Sequence, residues 1–85
     1  GIIMKVCITG SKWYDVYFKT EDSAKQFINY LSTVIGKEIQ LYESKTFAGV
    51  MEARGVSYEY LYTLSIYVDP SVVESYLELF PEEGE

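Results

Sequence analysis

Three residues of this 85-residue chain have types and spacing that could hold a metal ion for hydrolysis. Glu43 and Lys45 form an acid-x-Lys pair, and Asp15 lies upstream of them. Two carboxylates can hold Mg²⁺, and a nearby lysine can help to activate the attacking water, which is the chemistry of several nucleases. Such triplets arise often by chance, and Glu-x-Lys is also typical of a solvated strand edge. We therefore do not expect a nuclease.

The composition argues against most other catalytic chemistry. The chain has no histidine, and Cys7 is its single cysteine. Without an imidazole there is no general base of the common kind and no Ser or Cys triad. One cysteine cannot supply the ligands of a structural zinc site, and Cys7 itself is expected to be a small, half-buried strand residue. The sequence predicts a protein that is not an enzyme, with no catalytic residue, cofactor or metal.

The same features bear on the location of the protein. One cysteine allows no intrachain disulfide, so nothing indicates an oxidising compartment. No apolar run approaches the roughly 18–20 residues that cross a bilayer. We expect a cytoplasmic protein with no membrane partner, inside a host cell if its origin is viral.

The net charge of −6 is concentrated at one end of the chain. All seven Lys and Arg residues lie before position 69, where seven acidic residues balance them. Positions 69–85 carry the remaining six acidic residues and no basic one. Duplex nucleic acid is bound through clustered Lys and Arg. The sequence has no such cluster, so double-stranded nucleic acid is not expected as a direct partner.

Alternation of apolar and polar residues predicts a β-hairpin at the start of the chain. Residues 2–9 and 13–19 alternate in this way, and a short turn at 10–12 joins them. A helix is expected next, with Thr20 as its N-cap and Gly36 at its end. Its apolar residues recur at helical spacing, so one stripe should face the sheet.

The second half of the chain predicts three more strands and a second helix. Residues 37–45 alternate, and residues 46–53 are a weaker candidate because Gly49 interrupts them. Residues 56–68 form the longest strand, whose even face is expected in the core: Tyr58, Tyr60, Tyr62, Leu64, Ile66 and Val68. The last helix begins near Pro70, with Ser71 and Glu74 at capping-box spacing.

The expected fold class is α+β, a two-layer sandwich with the element order ββαβββα. A mostly antiparallel sheet would carry two helices on one face. A β-grasp-like fold with an added C-terminal helix is the alternative, because its hairpin, helix and next strand come in this order. Residues 1–80 form one domain, and residues 81–85 form a short acidic tail.

Aromatic side chains on the odd-numbered face are the first candidate contact surface. If the even face is the core, then Trp13, Tyr17, Leu61 and Tyr67 point away from it. One helical layer covers only one face of an antiparallel sheet, and Trp and Tyr are enriched at interface hot spots. Two alternatives stay open: a curled sheet that buries both faces, or scattered exposed aromatics covered by Lys stems.

Four glutamates near the C-terminus are the second candidate contact surface. Glu74 and Glu78 are four residues apart on the predicted helix, and Glu82 and Glu83 follow it. They could dock on a basic protein surface, or they could simply keep the helix face solvated.

The function predicted from these features is a small acidic protein-interaction module. It would act as an inhibitor or adaptor on a basic protein surface, as some small phage antagonists do, although that comparison is a prior about small acidic proteins. Single-stranded nucleic-acid binding by base stacking on sheet aromatics is one alternative. A structural homo-oligomer is another, for example a homodimer that pairs the long strand across a two-fold axis.

Overall fold

The computed structural model describes residues 4–36, the backbone of residues 42–43, and residues 48–81. In chain order its elements are β1 (Met4–Gly10), β2 (Trp13–Phe18), α1 (Glu21–Ile35), β3 (Tyr42–Glu43), α2 (Ala48–Ala53), β4 (Tyr62–Tyr67) and α3 (Pro70–Leu79). An antiparallel sheet with helices against it confirms the predicted α+β class. No helix among the described residues is long and apolar enough to cross a membrane.

The sheet has the strand order β1-β2-β4-β3, and each of these pairs is antiparallel. Val16 of β2 is opposite Val6 of β1 on one side and Leu64 of β4 on the other. The purely antiparallel pairing of the described strands favours the sandwich over the β-grasp alternative. The homodimer alternative requires the long strand to lie at a sheet edge, whereas β4 lies between β2 and β3.

Helices α1 and α3 cover the even-numbered face of the sheet. Phe27 of α1 and Tyr76 of α3 meet edge to face with ring centroids 4.7 Å apart, and Phe18 of β2 lies 5.6 Å from Phe27. Twelve buried residues form this main core: Met4, Tyr14, Val16, Phe18, Ala24, Phe27, Leu31, Leu64, Ile66, Val68, Val73 and Tyr76. The prediction of two helices on one face is confirmed.

The caps of the two long helices explain where they begin and end. Thr20 accepts a hydrogen bond from Ser23 N at 3.2 Å, and Gly36 ends α1 with a φ of 66°, as predicted. Helix α3 is capped by Asp69, whose carboxylate accepts from Ser71 N at 3.0 Å. The expected Ser71–Glu74 capping box is therefore wrong, because the helix already begins at Pro70.

Two predicted strands are changed in the structure. Residues 48–53, expected as part of a strand, form helix α2, which has one buried residue, Met51. The long strand is shorter than expected, since β4 begins at Tyr62 and residues 58–59 form a turn. Tyr58, expected in the core, is exposed as a result. Most of the predicted strand 37–45 lies outside the described residues, as do Glu82 and Glu83 of the predicted tail.

Candidate functional site

The odd-numbered face of the sheet carries the candidate site. Its side chains form three rows across β1, β2 and β4. The rows are Lys5–Tyr17–Thr63, Cys7–Asp15–Ser65 and Gly10–Trp13–Tyr67. Side chains in such rows are close enough to interact, so each row has its own environment. The three rows run from a covered end of the face to an open end.

Residues 48–60, which we call the cover segment, bury the first row. Tyr17 has no exposed surface and packs with three residues of this segment, Met51, Val56 and Tyr60. The expectation that Tyr17 is an exposed aromatic is therefore wrong. It assumed that only one helical layer exists, whereas the short helix α2 forms part of a second layer on the odd face.

A charged cluster lies directly after α2 in the cover segment, above the middle row. The guanidinium of Arg54 donates hydrogen bonds to Asp15 Oδ2 at 2.5 Å and to the hydroxyl of Tyr17 at 3.1 Å. The Arg54 and Asp15 side chains are only 28% and 15% exposed. The hydrogen bond to Asp15 is the main cause that raises the pKa of Arg54. This pair links the cover segment to the sheet.

Burial decides the ionisation of the Tyr17 hydroxyl. Desolvation raises its pKa above the usual value, although the nearby Arg54 acts in the opposite direction. The phenol therefore stays neutral at physiological pH and serves Arg54 as a hydrogen-bond acceptor. This arrangement suits a structural contact and not a reactive phenolate.

Trp13 and Tyr67 form the open end of the odd face. They are directly opposite each other on β2 and β4, and their ring centroids are 5.1 Å apart at an angle of 53°. Trp13 is 46% exposed and Tyr67 is 60% exposed. Gly10 opposite Trp13 has no side chain, so the indole reaches over it, and a Cβ there would lie 3.6 Å from Trp13 Cδ1. We call these two residues the aromatic pair.

The hairpin turn next to the aromatic pair is held in an uncommon conformation. Lys12 has a φ of 64°, which is the left-handed region where a non-glycine residue is unusual. Its carbonyl accepts a hydrogen bond from Val68 N at 3.0 Å, which ties the turn to the end of β4. The pairing of β1 also shifts between Ile8 and Gly10. These features fix the position of Trp13 relative to Tyr67.

Leu61 directly precedes β4 and does not join the aromatic pair. It is 55% exposed and lies six positions before Tyr67, which is about 20 Å along an extended chain. The covered Tyr17 row lies between them. The predicted contact surface is therefore discontinuous, and Leu61 is at its far end.

The acidic residues lie on the opposite layer of the molecule. Glu74 and Glu78 are exposed on α3, which buries Val73 and Tyr76 against the even face of the sheet. The aromatic pair is on the odd face, so one flat partner surface cannot contact both sets.

The residues considered for metal chemistry are only partly described. Asp15 is engaged by Arg54, and the side chains of Glu43 and Lys45 lie outside the described residues. The described residues contain no group of three or more Asp, Glu, Cys or His side chains placed to hold a metal ion.

Arg54, Met51 and Val56 were not predicted on this face, and Tyr60, predicted on the even face, packs here as well. Arg54 and Asp15 are 39 positions apart in the chain, and no local pattern pairs them. The only available signal was that Arg54 is the single arginine of the chain, within a segment that otherwise lacks positive charge.

Searches of protein-family models, curated proteins and solved structures found no match to this chain. We therefore infer the function from the geometry of the odd face.

Proposed function

We propose that this protein is a non-enzymatic interaction module that contacts a protein partner through the aromatic pair. The observation that carries this proposal is the exposure of two adjacent large rings, Trp13 and Tyr67, on a sheet face. Trp and Tyr are the residue types most enriched at interface hot spots. An adaptor or inhibitor that occupies its partner's surface needs such an anchor and no catalytic group.

The rigidity of the aromatic pair supports binding. Both rings stand on hydrogen-bonded strands, and the turn beside them is tied to β4 through Lys12 and Val68. A side chain held in place before binding loses less conformational entropy when the complex forms. The pair can therefore contribute more affinity than the same residues on a free loop.

The negative charge of the protein favours a partner with a basic surface. Glu74 and Glu78 are on the far side from the aromatic pair, so they act at a distance and not by contact. A net charge of −6 accelerates encounter with a basic protein and makes the association rate depend on salt. In this proposal the aromatic pair determines dissociation and the charge determines association.

A pull-down from the source organism tests the proposal. The bait is the tagged, nuclease-treated protein, compared with a Trp13→Ala/Tyr67→Ala variant and with Leu79→Ala, which truncates an exposed leucine on the other layer. We expect one protein near stoichiometry with the wild type and Leu79→Ala, and its loss with the double variant. Recovery that is equal for all three baits, or no specific protein with the wild type, would overturn the proposal.

Two further variants locate the contact surface. Leu61→Ala should leave partner recovery unchanged if the surface ends at the aromatic pair. Glu74→Lys/Glu78→Lys should slow association and reduce its salt dependence without changing dissociation, as measured by surface plasmon resonance with the recovered partner. A faster dissociation in the charge variant would show that α3 belongs to the contact surface.

Single-stranded nucleic-acid binding is a second candidate, because two exposed rings on neighbouring strands can stack on bases. The net charge opposes it, and it predicts binding of short labelled RNA or DNA in fluorescence anisotropy at low salt. Binding that is lost in Trp13→Ala/Tyr67→Ala would favour it over a protein partner. Light scattering over a range of concentrations tests the remaining alternative, a homo-oligomer.

A further inference from the structure

The two faces of the sheet are covered by cores of very different size. Among the described residues, the even face has the twelve-residue core, whereas the odd face has a cluster of four buried apolar residues, Tyr17, Met51, Val56 and Tyr60. Three of these four belong to the cover segment. Local unfolding of a small satellite cluster costs less free energy than unfolding of the main core of a domain.

The backbone of the cover segment is largely self-contained. Val56 N donates to Met51 O at 2.8 Å, and Tyr60 N donates to Ser57 O at 3.1 Å. None of the described strand pairs includes a residue of the cover segment. Its displacement would therefore break no strand ladder of the described sheet.

Charged side chains contribute polar links between the cover segment and the rest of the fold. Lys19 contacts Glu59 at 3.2 Å, but Glu59 is mostly exposed, so this pair contributes little. The Arg54–Asp15 pair is mostly buried and also includes the Tyr17 hydroxyl. Hydrogen bonds to charged, partly buried groups are the stronger kind. Arg54 thus makes a strong polar link between the cover segment and the sheet.

We propose that the cover segment opens as a unit while the sheet and the two long helices stay folded, and that the Arg54–Asp15 pair holds it closed. Opening exposes Tyr17 and Met51 on the odd face. Tyr17 is four residues from Trp13 on the same face of β2, about 13 Å along the strand. The open form therefore presents a longer aromatic stripe than the closed form does. This inference does not depend on the proposed function.

Amide hydrogen exchange of the free protein, followed by mass spectrometry, tests the opening. In the wild type we expect the protected amides of residues 50–60 to exchange at least about tenfold faster than those of α1 and β4. Arg54→Met keeps the aliphatic stem and removes the charge, and Asp15→Asn removes the partner charge independently. Each should accelerate exchange in the cover segment by about tenfold more, because a charge-assisted hydrogen bond is lost.

Lys25→Met is the matched control for Arg54→Met. It removes an exposed ion pair, with Glu21 on helix α1, at 3.4 Å. Amide exchange in the cover segment of Lys25→Met should match that of the wild type. The lone thiol gives a second readout, because Cys7 packs against the small core and is half-buried. Maleimide labelling of Cys7 should be faster in Arg54→Met than in Lys25→Met.

Two results would overturn the inference. One is equal protection of the cover segment and α1 in the wild type, which would mean that both open only with the whole domain. The other is an Arg54→Met variant that accelerates exchange equally in the cover segment, α1 and β4. In that case the pair stabilises the whole domain and not the closure of one segment.

Discussion

The two faces of one sheet differ in how completely they are closed. The even face is covered by two capped helices of fifteen and ten residues over a continuous apolar core. The odd face is covered at one end by a six-residue helix, and the Arg54–Asp15 pair lies beside this helix. At its other end the face is open, and the aromatic pair is exposed there. Apolar burial is the dominant favourable term in folding. The even face therefore provides most of the stability, and the odd face is free to carry contacts.

The largest expected effect is on the even face. Phe27→Ala removes a ring that contacts both Phe18 and Tyr76, and no part of Phe27 is exposed. The loss of burial and the cavity should cost about 3–5 kcal/mol of unfolding free energy. Urea denaturation monitored by circular dichroism measures it. A cost below about 1 kcal/mol would show that the even face is not the main source of stability.

A matched truncation on the odd face should cost less. Met51 is also fully buried, but it lies in the smaller core under the cover segment. We expect Met51→Ala to cost about 2 kcal/mol, near the lower limit for large-to-alanine changes, because the small core can relax. The same urea experiment compares the two variants. If Met51→Ala cost as much as Phe27→Ala, the contrast between the faces would be lost.

Two buried tyrosines should respond in opposite directions to removal of their hydroxyl groups. The hydroxyl of Tyr76, in the main core, is buried and has no hydrogen-bond partner among the described residues, whereas that of Tyr17 accepts from Arg54. Tyr76→Phe should raise the unfolding free energy by about 1 kcal/mol, and Tyr17→Phe should lower it by about 1 kcal/mol. Thermal denaturation resolves both. The same sign for the two variants would contradict the assignment of these hydroxyl groups.

Alkaline pH should lower the free energy of unfolding through ionisation of Tyr76. Burial raises the pKa of Tyr76 to about 12, whereas an unfolded tyrosine ionises near 10. The folded chain holds this proton more tightly, so the stabilisation is complete below about pH 10 and is lost as the pH rises towards 12. Urea midpoints between about pH 8 and 11 should fall less in Tyr76→Phe than in the wild type. Parallel curves would exclude Tyr76 as a source of the effect.

The parts of the fold that could be predicted are those with a local signal. Residues 2–9 and 13–19 alternate, and Thr20 and Gly36 delimit α1 with ordinary capping chemistry. Tertiary packing then agrees with local preference, which is why the hairpin, α1 and α3 were correct in kind.

The cover segment could not be predicted because its signals are short and conflicting. Ala48, Met51 and Glu52 favour a helix, but Gly49 does not, and six residues are too few for a helical period to be recognised. The alternating tyrosines at 58, 60 and 62 imitate a strand, although a turn begins at Ser57. Because this segment was assigned to strands, no second layer was expected over the odd face. Tyr17 was therefore predicted to be exposed.

The candidate site was predictable only in part for the same reason. Trp13 and Tyr67 could be identified because the alternation along each strand places both of them on the odd-numbered face. The strand register then places them opposite each other. Their separation from Leu61, and from Glu74 and Glu78, depends on which layer covers which face. That information is in the packing and not in the pattern.

The most direct test of the account uses the only tryptophan of the chain. Protein labelled with 5-fluorotryptophan gives one ¹⁹F resonance, from Trp13, which is partly exposed in the free protein. When the partner recovered by pull-down is added unlabelled, we expect this resonance to shift and to lose its sensitivity to H₂O/D₂O exchange. An unchanged resonance in a complex proven to have formed would contradict the assignment of the aromatic pair as the contact surface.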